Sequence, residues 1–467
     1  MKVFIETVGC PKNREDSERM AGLLLASGHE LAKDADAADA VIVNTCGFIE
    51  AAKRESIETI FQYAPPPGSG RRLIVTGCLT QRYAEELFGE LPEADAILGV
   101  NDYECLPEIL CDWEARPVAR VLSAQGAPGV LTGPRAALEG RASSYLKVAE
   151  GCDNRCTYCV IPRIRGPYRS VPMETLLAEA KQLTAEGCRE LILIAQDVTN
   201  YGFDLYGELK LPELLRALCR VDGVEWVRLL YCYEERVTDE LIETMAAEPK
   251  LCPYIDLPLQ HVSGPVLRRM GRRSTPESIV DTIGRLRRAI PDIIIRTTFI
   301  TGFPGETEAD FEELCAFVRA QRLGRVGVFA YSREEGTPAA EMPGQVGAET
   351  AEARRDALMR LQLEVSREAN ERLIGSVLDV MTDEAEAGDD DNMGEKEAGA
   401  AVRNRAGDDS GGAVLIGRTR WDAPEIDNAV VFRAPADAGN PLDLIGRIVR
   451  VRITDAMDYD LVGEMVL

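Results

Sequence analysis

Short apolar runs punctuate the first 122 positions, and each is followed by a stretch whose hydrophobic residues recur every three to four. "VFIETVG", "DAVIVNT" and "RRLIVTG" have the dense Val and Ile content of strands covered on both faces. "REDSERMAGLLLASG", "GFIEAAKRESIETIFQY" and "LTQRYAEELFGEL" carry the helical period. This alternation predicts an α/β domain with a parallel sheet over 1–122. Residues 123–142 are small, rich in Gly and Pro and weakly patterned, and read as a linker. Alternation resumes with six candidate strands: "SYLKVAE", "RELILIAQ", "EWVRLLY", "PYIDLPL", "IIIRTTFITG" and "GRVGVFAY". Six β/α units predict a part-barrel which, with a long connecting helix, fills 143–372, with reactive residues at the strands' C-terminal ends. Over 373–467 five short β runs predict a small antiparallel β-barrel. Residues 384–412 interrupt it; rich in Gly, Asp and Glu and without periodicity, they read as a disordered acidic insertion.

Composition narrows the function. No run of eighteen apolar residues predicts a membrane span. The start, "MKVFIETVGC", lacks the features of a signal peptide, so a cytoplasmic location is expected. Thirteen cysteines in a reducing compartment point to metal binding or catalysis rather than disulfides. A net charge of −25 disfavours a broad nucleic-acid surface, though a small basic patch is compatible with it. The acidity is strong in 373–467, with 9 Lys and Arg against 20 Asp and Glu, or 6 against 11 without residues 384–412. Such a module repels phosphates and attracts a basic protein.

The chemistry concentrates in "EGCDNRCTYCVIPRIRGPYRS", where Cys152, Cys156 and Cys159 share one loop. Soft thiolates suit an iron–sulfur cluster, zinc or copper(I). A structural zinc site takes four ligands, as does an electron-transfer 4Fe–4S cluster. Three thiols leave one iron of such a cluster open to a small molecule; the alternative is zinc with a distant fourth ligand such as Cys188 or His261. A second trio lies at the ends of the first three strands: Cys10 in "TVGCPKN", Cys46 in "VNTCGFI" and Cys78 in "VTGCLTQ". In an open parallel sheet those ends share one edge, where ligands bind and helix N-termini favour thiolates. Buried structural cysteine is the competing reading for this trio. Cys105, Cys111, Cys188, Cys219, Cys232, Cys252 and Cys315 read as core filling.

The first loop resembles the CxxxCxxC signature of the radical S-adenosylmethionine superfamily, including the aromatic Tyr158 before the last cysteine. "ITGFPGET" resembles that superfamily's glycine-rich adenine-side strand, through Gly302, Gly305 and Glu306, although Gly–Pro–Gly is also ordinary turn chemistry. With the second trio and the terminal barrel, nearly the whole chain resembles the methylthiotransferase family. "GCPKNREDSERM", "NTCGFIEAAKRESIETI" and "GRTRWDAPEIDNAVVF" look like its RimO branch. The resemblance implies two 4Fe–4S clusters and S-adenosyl-L-methionine. Cys152, Cys156 and Cys159 would hold the cluster whose open iron binds S-adenosylmethionine; Cys10, Cys46 and Cys78 would hold one that supplies sulfur. It further implies methylthiolation of an aspartate β-carbon in the twelfth small-subunit ribosomal protein, an electron donor, and a TRAM barrel gripping that basic substrate. The sulfur source stays open. Asp422, Glu425 and Asp427 in "WDAPEID" are expected on the gripping surface. A tRNA adenosine methylthiotransferase and a zinc-stabilised binding protein remain alternatives.

Other polar residues have open roles. Asp197 and Tyr201 lie just beyond the barrel's second strand, as turn formers or as contacts to cofactor or substrate. Arg228 and Arg296 lie inside apolar strands and require a carboxylate, either a ligand's or the protein's own. His261 follows the fourth strand. His29 reads as a solvated turn residue, and Arg163, Arg165 and Arg169 as solvated loop charges that could balance a cluster.

Overall fold

The computed structural model describes residues 1–66, 68–111, 119–121, 132–138, 142–385, 413–435 and 437–466. Its first sheet contains β1 (Lys2–Thr7), β2 (Glu30–Leu31), β3 (Ala40–Thr45), β4 (Arg72–Gly77), β5 (Ala96–Leu98) and β6 (Ala119–Val121) in the order β2-β1-β3-β4-β5-β6. All pairings are parallel. The central strand β3 is buried at every residue. Val3, Ile42 and Ile74 face one layer and Val41, Val43, Leu73 and Val75 the other, so helices cover both faces. These helices include α1 (Pro11–Ala26), α2 (Glu50–Tyr63), α3 (Cys78–Glu90) and α4 (Leu106–Cys111). The short strands β2, β5 and β6 escape the sequence pattern because two or three residues carry too little alternation to read.

The second sheet comprises β7 (Ser143–Lys147), β10 (Glu190–Ile194), β11 (Trp226–Leu229), β12 (Leu251–Asp256), β13 (Ile294–Thr301) and β14 (Arg325–Ala330), parallel and in chain order. "SYLKVAE" is divided: after β7, the pair β8 (Ala149–Glu150) and β9 (Arg169–Ser170) clasps antiparallel around the loop and helix between them. That helix is α5 (Ile161–Arg165). Leu146, Leu191, Leu193, Val227, Leu229 and Ile295 join the outer helical core, while Tyr145, Ile192, Trp226 and Tyr254 turn inward. The helix Ala348–Glu371 follows β14. Residues 132–138 do not hang free. Arg135 pairs with Glu18 at 2.5 Å and Glu179 at 2.8 Å, and Pro134 crosses α1 so closely that a Cβ at Gly22 would lie 2.5 Å from its carbonyl oxygen.

The third body is a closed barrel of β15 (Val377–Ala385), β16 (Val414–Thr419), β17 (Val430–Arg433), β18 (Ile448–Ala456) and β19 (Leu461–Val466). Four of its pairings are antiparallel and β17–β19 is parallel. Glu384 and Ala385, which the sequence assigns to the insertion, complete β15 and pair with Ile416 and Leu415. Residues 386–412 lie outside the described residues.

The "WDAPEID" loop corrects an expectation. It does not present its acids for gripping; it plugs the N-terminal end of the part-barrel. Asp422 accepts from Arg325 at 2.6 and 2.9 Å, while Asp427 accepts from the Tyr254 hydroxyl at 2.6 Å and stands 3.4 Å from Arg296. Arg420 donates to the Leu251 carbonyl at 2.5 Å. Glu425 is the exception: half its side chain is exposed, and it bonds Arg14 on α1. Arg228, fully buried, donates to Glu190 at 2.7 Å and to the Arg420 carbonyl at 2.9 Å. Arg296 meets Asp256 at 2.9 Å. Both arginines therefore use the protein's own carboxylates, as burial of a charge demands.

Candidate active site

The C-terminal mouth of the part-barrel, opposite the plug, faces the C-terminal edge of the first sheet. On that edge Cys10 caps α1, Cys46 follows β3, and Cys78 opens α3. Two glycines permit the approach. Gly9 has φ +104°, and a Cβ there would stand 2.7 Å from Cys46 Cβ; Gly77 has φ +108°, and a Cβ would stand 2.3 Å from the Thr45 carbonyl oxygen. Asn13 ties the strand ends together by donating to the carbonyls of Val8 at 2.8 Å and Thr45 at 3.0 Å. Asn44 donates back to the Asn13 carbonyl at 2.8 Å. The thiols are electrostatic neighbours: burial, then Cys78 and Cys10, pushes Cys46 up to about 12, and burial also raises Cys78.

The CxxxCxxC trio, Cys152, Cys156 and Cys159, lies between β8 and α5. Gly151, at φ +77°, starts the loop where a Cβ would meet the Pro167 carbonyl oxygen at 2.1 Å. Asn154 donates to the buried Asp197 at 2.9 Å, which also accepts from Arg236 at 2.7 Å and Thr199 at 2.5 Å. Asp197 is thus a brace for the loop, and Tyr201 is a core residue bonded to the Val171 carbonyl. Burial pushes Cys152 up to about 11, and burial with Cys156 raises Cys159. Tyr233, which sequence reasoning missed, brings its hydroxyl 3.2 Å from Cys156 Sγ, with Arg272 over its ring at 4.2 Å. Its place just past β11 was the available signal.

Arg165, on the helix that follows the CxxxCxxC loop, reaches across to Cys78 and is not the solvated charge expected. It is 2% exposed and donates to Asp16 at 3.0 Å, Asn13 at 2.7 Å, Glu150 at 2.9 Å and Cys78 Sγ at 3.4 Å. Lys147 at the end of β7 completes this layer with Glu15, Asp16 and Glu150. Arg163 is exposed and Arg169 half-buried.

Tyr158 packs edge-on against Phe303 at 6.3 Å. Gly302 and Gly305 have φ +73° and +80°, and a Cβ at Gly302 would stand 2.2 Å from Ala351 Cβ. Glu306 accepts from the Gly302 amide and stands 3.3 Å from Arg354. His261 is fully buried, accepts from the Ser263 amide, and places Nε2 3.5 Å from Glu306. Together these residues fix the turn after β13. His29 is buried, not solvated, with Nε2 3.9 Å from Cys111 Sγ; Cys111 is exposed rather than core. Cys188, Cys219, Cys232 and Cys252 are buried as expected, and Cys105 and Cys315 are partly buried.

Among the described residues no three His, Cys, Asp or Glu close around a single metal ion. Each trio instead gathers soft, mutually repelling thiols, two of them buried and one half-buried, which suits a multi-iron group whose positive charge favours their thiolate forms.

Known proteins match this arrangement along its length. The family model described as Uncharacterized protein family UPF0004 matches residues 2–99, that of the Radical SAM superfamily 146–318, and that of the TRAM domain 406–466. A protein of Lachnoclostridium phytofermentans named ribosomal protein uS12 methylthiotransferase RimO is 45% identical over 99% of both chains. Its namesakes in Geobacter sulfurreducens and Moorella thermoacetica are each 46% identical over 100% of this chain and 98% and 100% of theirs. The chain belongs to the RimO family. Solved structures carry the likeness in fold. The radical S-adenosylmethionine methyltransferase TsrM from Kitasatospora setae superposes with TM-score 0.53 at 15% identity, over 83% of this chain and 79% of its own. The cobalamin-dependent S-adenosylmethionine radical enzyme OxsB superposes with TM-score 0.52 at 13% identity, over 79% and 56%. RimO membership accounts for all three bodies of the chain, and no helix among the described residues is long and apolar enough to cross a membrane.

Proposed function

We propose that this chain is a radical S-adenosylmethionine enzyme that adds a methylthio group to the β-carbon of an aspartate in ribosomal protein uS12. The observation that carries the reading is the facing of two three-cysteine sites across one barrel mouth, with Arg165 from the helix after one loop reaching Cys78 of the other site, in a chain alike over its whole length to RimO proteins. Cys152, Cys156 and Cys159 would hold a 4Fe–4S cluster, which would supply, once reduced by an external donor, the electron for cleaving S-adenosylmethionine. Cys10, Cys46 and Cys78 would hold a second cluster, which would supply sulfur.

The chain's own residues prepare the mouth. Tyr233, with Arg272 over its ring, stands against the CxxxCxxC loop, so the Cys156 thiol meets a hydroxyl instead of bulk water. Asp197 and Asn154 fix the loop's backbone, and Gly302, Gly305 and Glu306 hold the turn that would border the adenine of S-adenosylmethionine. The first sheet covers the mouth and keeps bulk water from it. Arg165 sets a fixed positive charge against Cys78 and thereby favours its thiolate.

The test separates the two sites. Replacing Cys152, Cys156 and Cys159 by Ala should abolish 5′-deoxyadenosine formation. Replacing Cys10, Cys46 and Cys78 should spare that cleavage and abolish the methylthio product, read by mass spectrometry of uS12. Normal methylthiolation by the second variant would remove the sulfur-site assignment.

A further inference from the structure

Lys12 is a buried cation that no carboxylate of the described residues pairs with. It is 6% exposed, and among the described residues it forms no ion pair. Its ammonium crosses from the start of α1 into the barrel mouth, donating to the Ala195 carbonyl at 3.3 Å and standing 3.3 Å above the ring of Tyr231. An ammonium has three donors. Here one makes a long hydrogen bond and none meets a carboxylate. The acids nearby are already engaged: Glu150 with Arg165 and Lys147, and Asp256 with Arg296.

The platform beneath Lys12 is itself strained. Tyr231 has φ +59°, a left-handed conformation that tyrosine rarely adopts. Two hydrogen bonds impose it: the Tyr231 amide donates to Asp256 at 2.9 Å, and its carbonyl accepts from the Val198 amide at 3.0 Å. Strain of this kind persists where the surroundings over-determine it, and it clusters at ligand sites. Ala195 and Tyr231 both lie just past strand ends, at the mouth where ligands of such barrels bind.

We propose that Lys12 receives the side-chain carboxylate of the substrate aspartate; this rests on the functional reading above. The carboxylate is bonded directly to the β-carbon that reacts. A carboxylate held on Lys12 therefore fixes that carbon within reach of the site formed by Cys10, two residues earlier in the chain, with Cys46 and Cys78. The face of Tyr231 excludes water from the pair, and a charge-assisted hydrogen bond in a dry site discriminates strongly against a neutral isostere.

The test uses the reconstituted full chain and two fluorescent uS12 peptides, one with the target aspartate and one with Asn in its place. Affinity is measured by anisotropy, and iron and sulfide contents are measured alongside for the unaltered chain, Lys12→Met and Lys12→Arg. The unaltered chain should prefer the Asp peptide by about ten- to a hundredfold. Lys12→Met should bring that ratio near one, chiefly by weakening the Asp peptide, and Lys12→Arg should keep most of it. Equal affinity of the unaltered chain for both peptides overturns the proposal, with no variant needed. Retention of the preference by Lys12→Met at full iron content overturns it as well. If the unaltered chain methylthiolates no uS12 peptide by mass spectrometry, the functional reading fails first and this proposal falls with it. Methylthiolation with an unchanged ratio in Lys12→Met removes only the role of Lys12.

Discussion

Asp422→Ala removes the acid that anchors the plug loop to β14. Two hydrogen bonds from Arg325, at 2.6 and 2.9 Å, and one from the Thr419 hydroxyl, at 2.6 Å, are lost. Side-chain exposures of 9% for Arg325 and 3% for Asp422 put this pair in the buried class. Removing one member of such a pair strands the other and costs about 3–5 kcal/mol. The exposed pair Arg367–Glu371, at 63% and 52%, is worth about 0.3–0.5 kcal/mol. The expected loss for Asp422→Ala is therefore about tenfold the effect of Glu371→Ala. Adding Arg325→Met removes the stranded charge, and the double variant should recover to within about 2 kcal/mol of the parent. Equilibrium denaturation measures this, because Trp421 lies in the plug loop and its fluorescence reports undocking. A loss below about 1 kcal/mol for Asp422→Ala, or a double variant as unstable as the single, would refute the plug assignment. If Asp422 instead steered substrate, the variant would slow uS12 association and leave the unfolding midpoint unchanged.

Two further outcomes follow from the same interface. Burial opposes ionisation of Glu190, yet Arg418 and Arg228 draw it down to about 2; its ionised form thus stabilises the fold above the usual carboxylate value of 4.5, and that contribution disappears as pH falls toward 2. Denaturation midpoints of Glu190→Gln should therefore fall below the parent's at neutral pH and converge with them as the pH drops through that window. Joining Ala385 to Ala413 by a short Gly-Ser turn should leave the barrel's unfolding midpoint nearly unchanged, whereas a deletion beginning at Glu384 removes two strand pairings and should lower it.

Strands and cysteines were legible because each has a local signature. β3 and β4 are runs of Val and Ile, and the cluster loop has fixed spacing, so period and count were enough. The interface between the first two bodies was not legible. In "REDSERM", Glu15, Asp16 and Arg19 occupy positions that read as a wet helix face, yet each is 3% exposed or less. Their partners, Lys147, Arg165 and Glu179, lie more than a hundred residues away, and no window of sequence shows that pairing. The acids of "WDAPEID" misled in the same way. Charge composition signals acidity but not direction, and two of its three carboxylates turn inward because Arg296 and Arg325 wait there. Arg228 and Arg296 were the hint, since arginine inside an apolar strand requires an acid from somewhere.

The inward loop bears on how such enzymes can be recombined. A terminal barrel grafted from a relative carries its own loop, and Arg325 and Arg296 stay behind in the recipient. If the donor lacks acids matching Asp422 and Asp427, the chimera leaves Arg325 without counter-charge and Arg296 with Asp256 alone. A change of substrate preference in that hybrid would then mix recognition with loss of docking. The terminal barrel and these two arginines form one heritable unit, and exchange between lineages keeps the docking only where the donor's loop acids match the recipient's arginines.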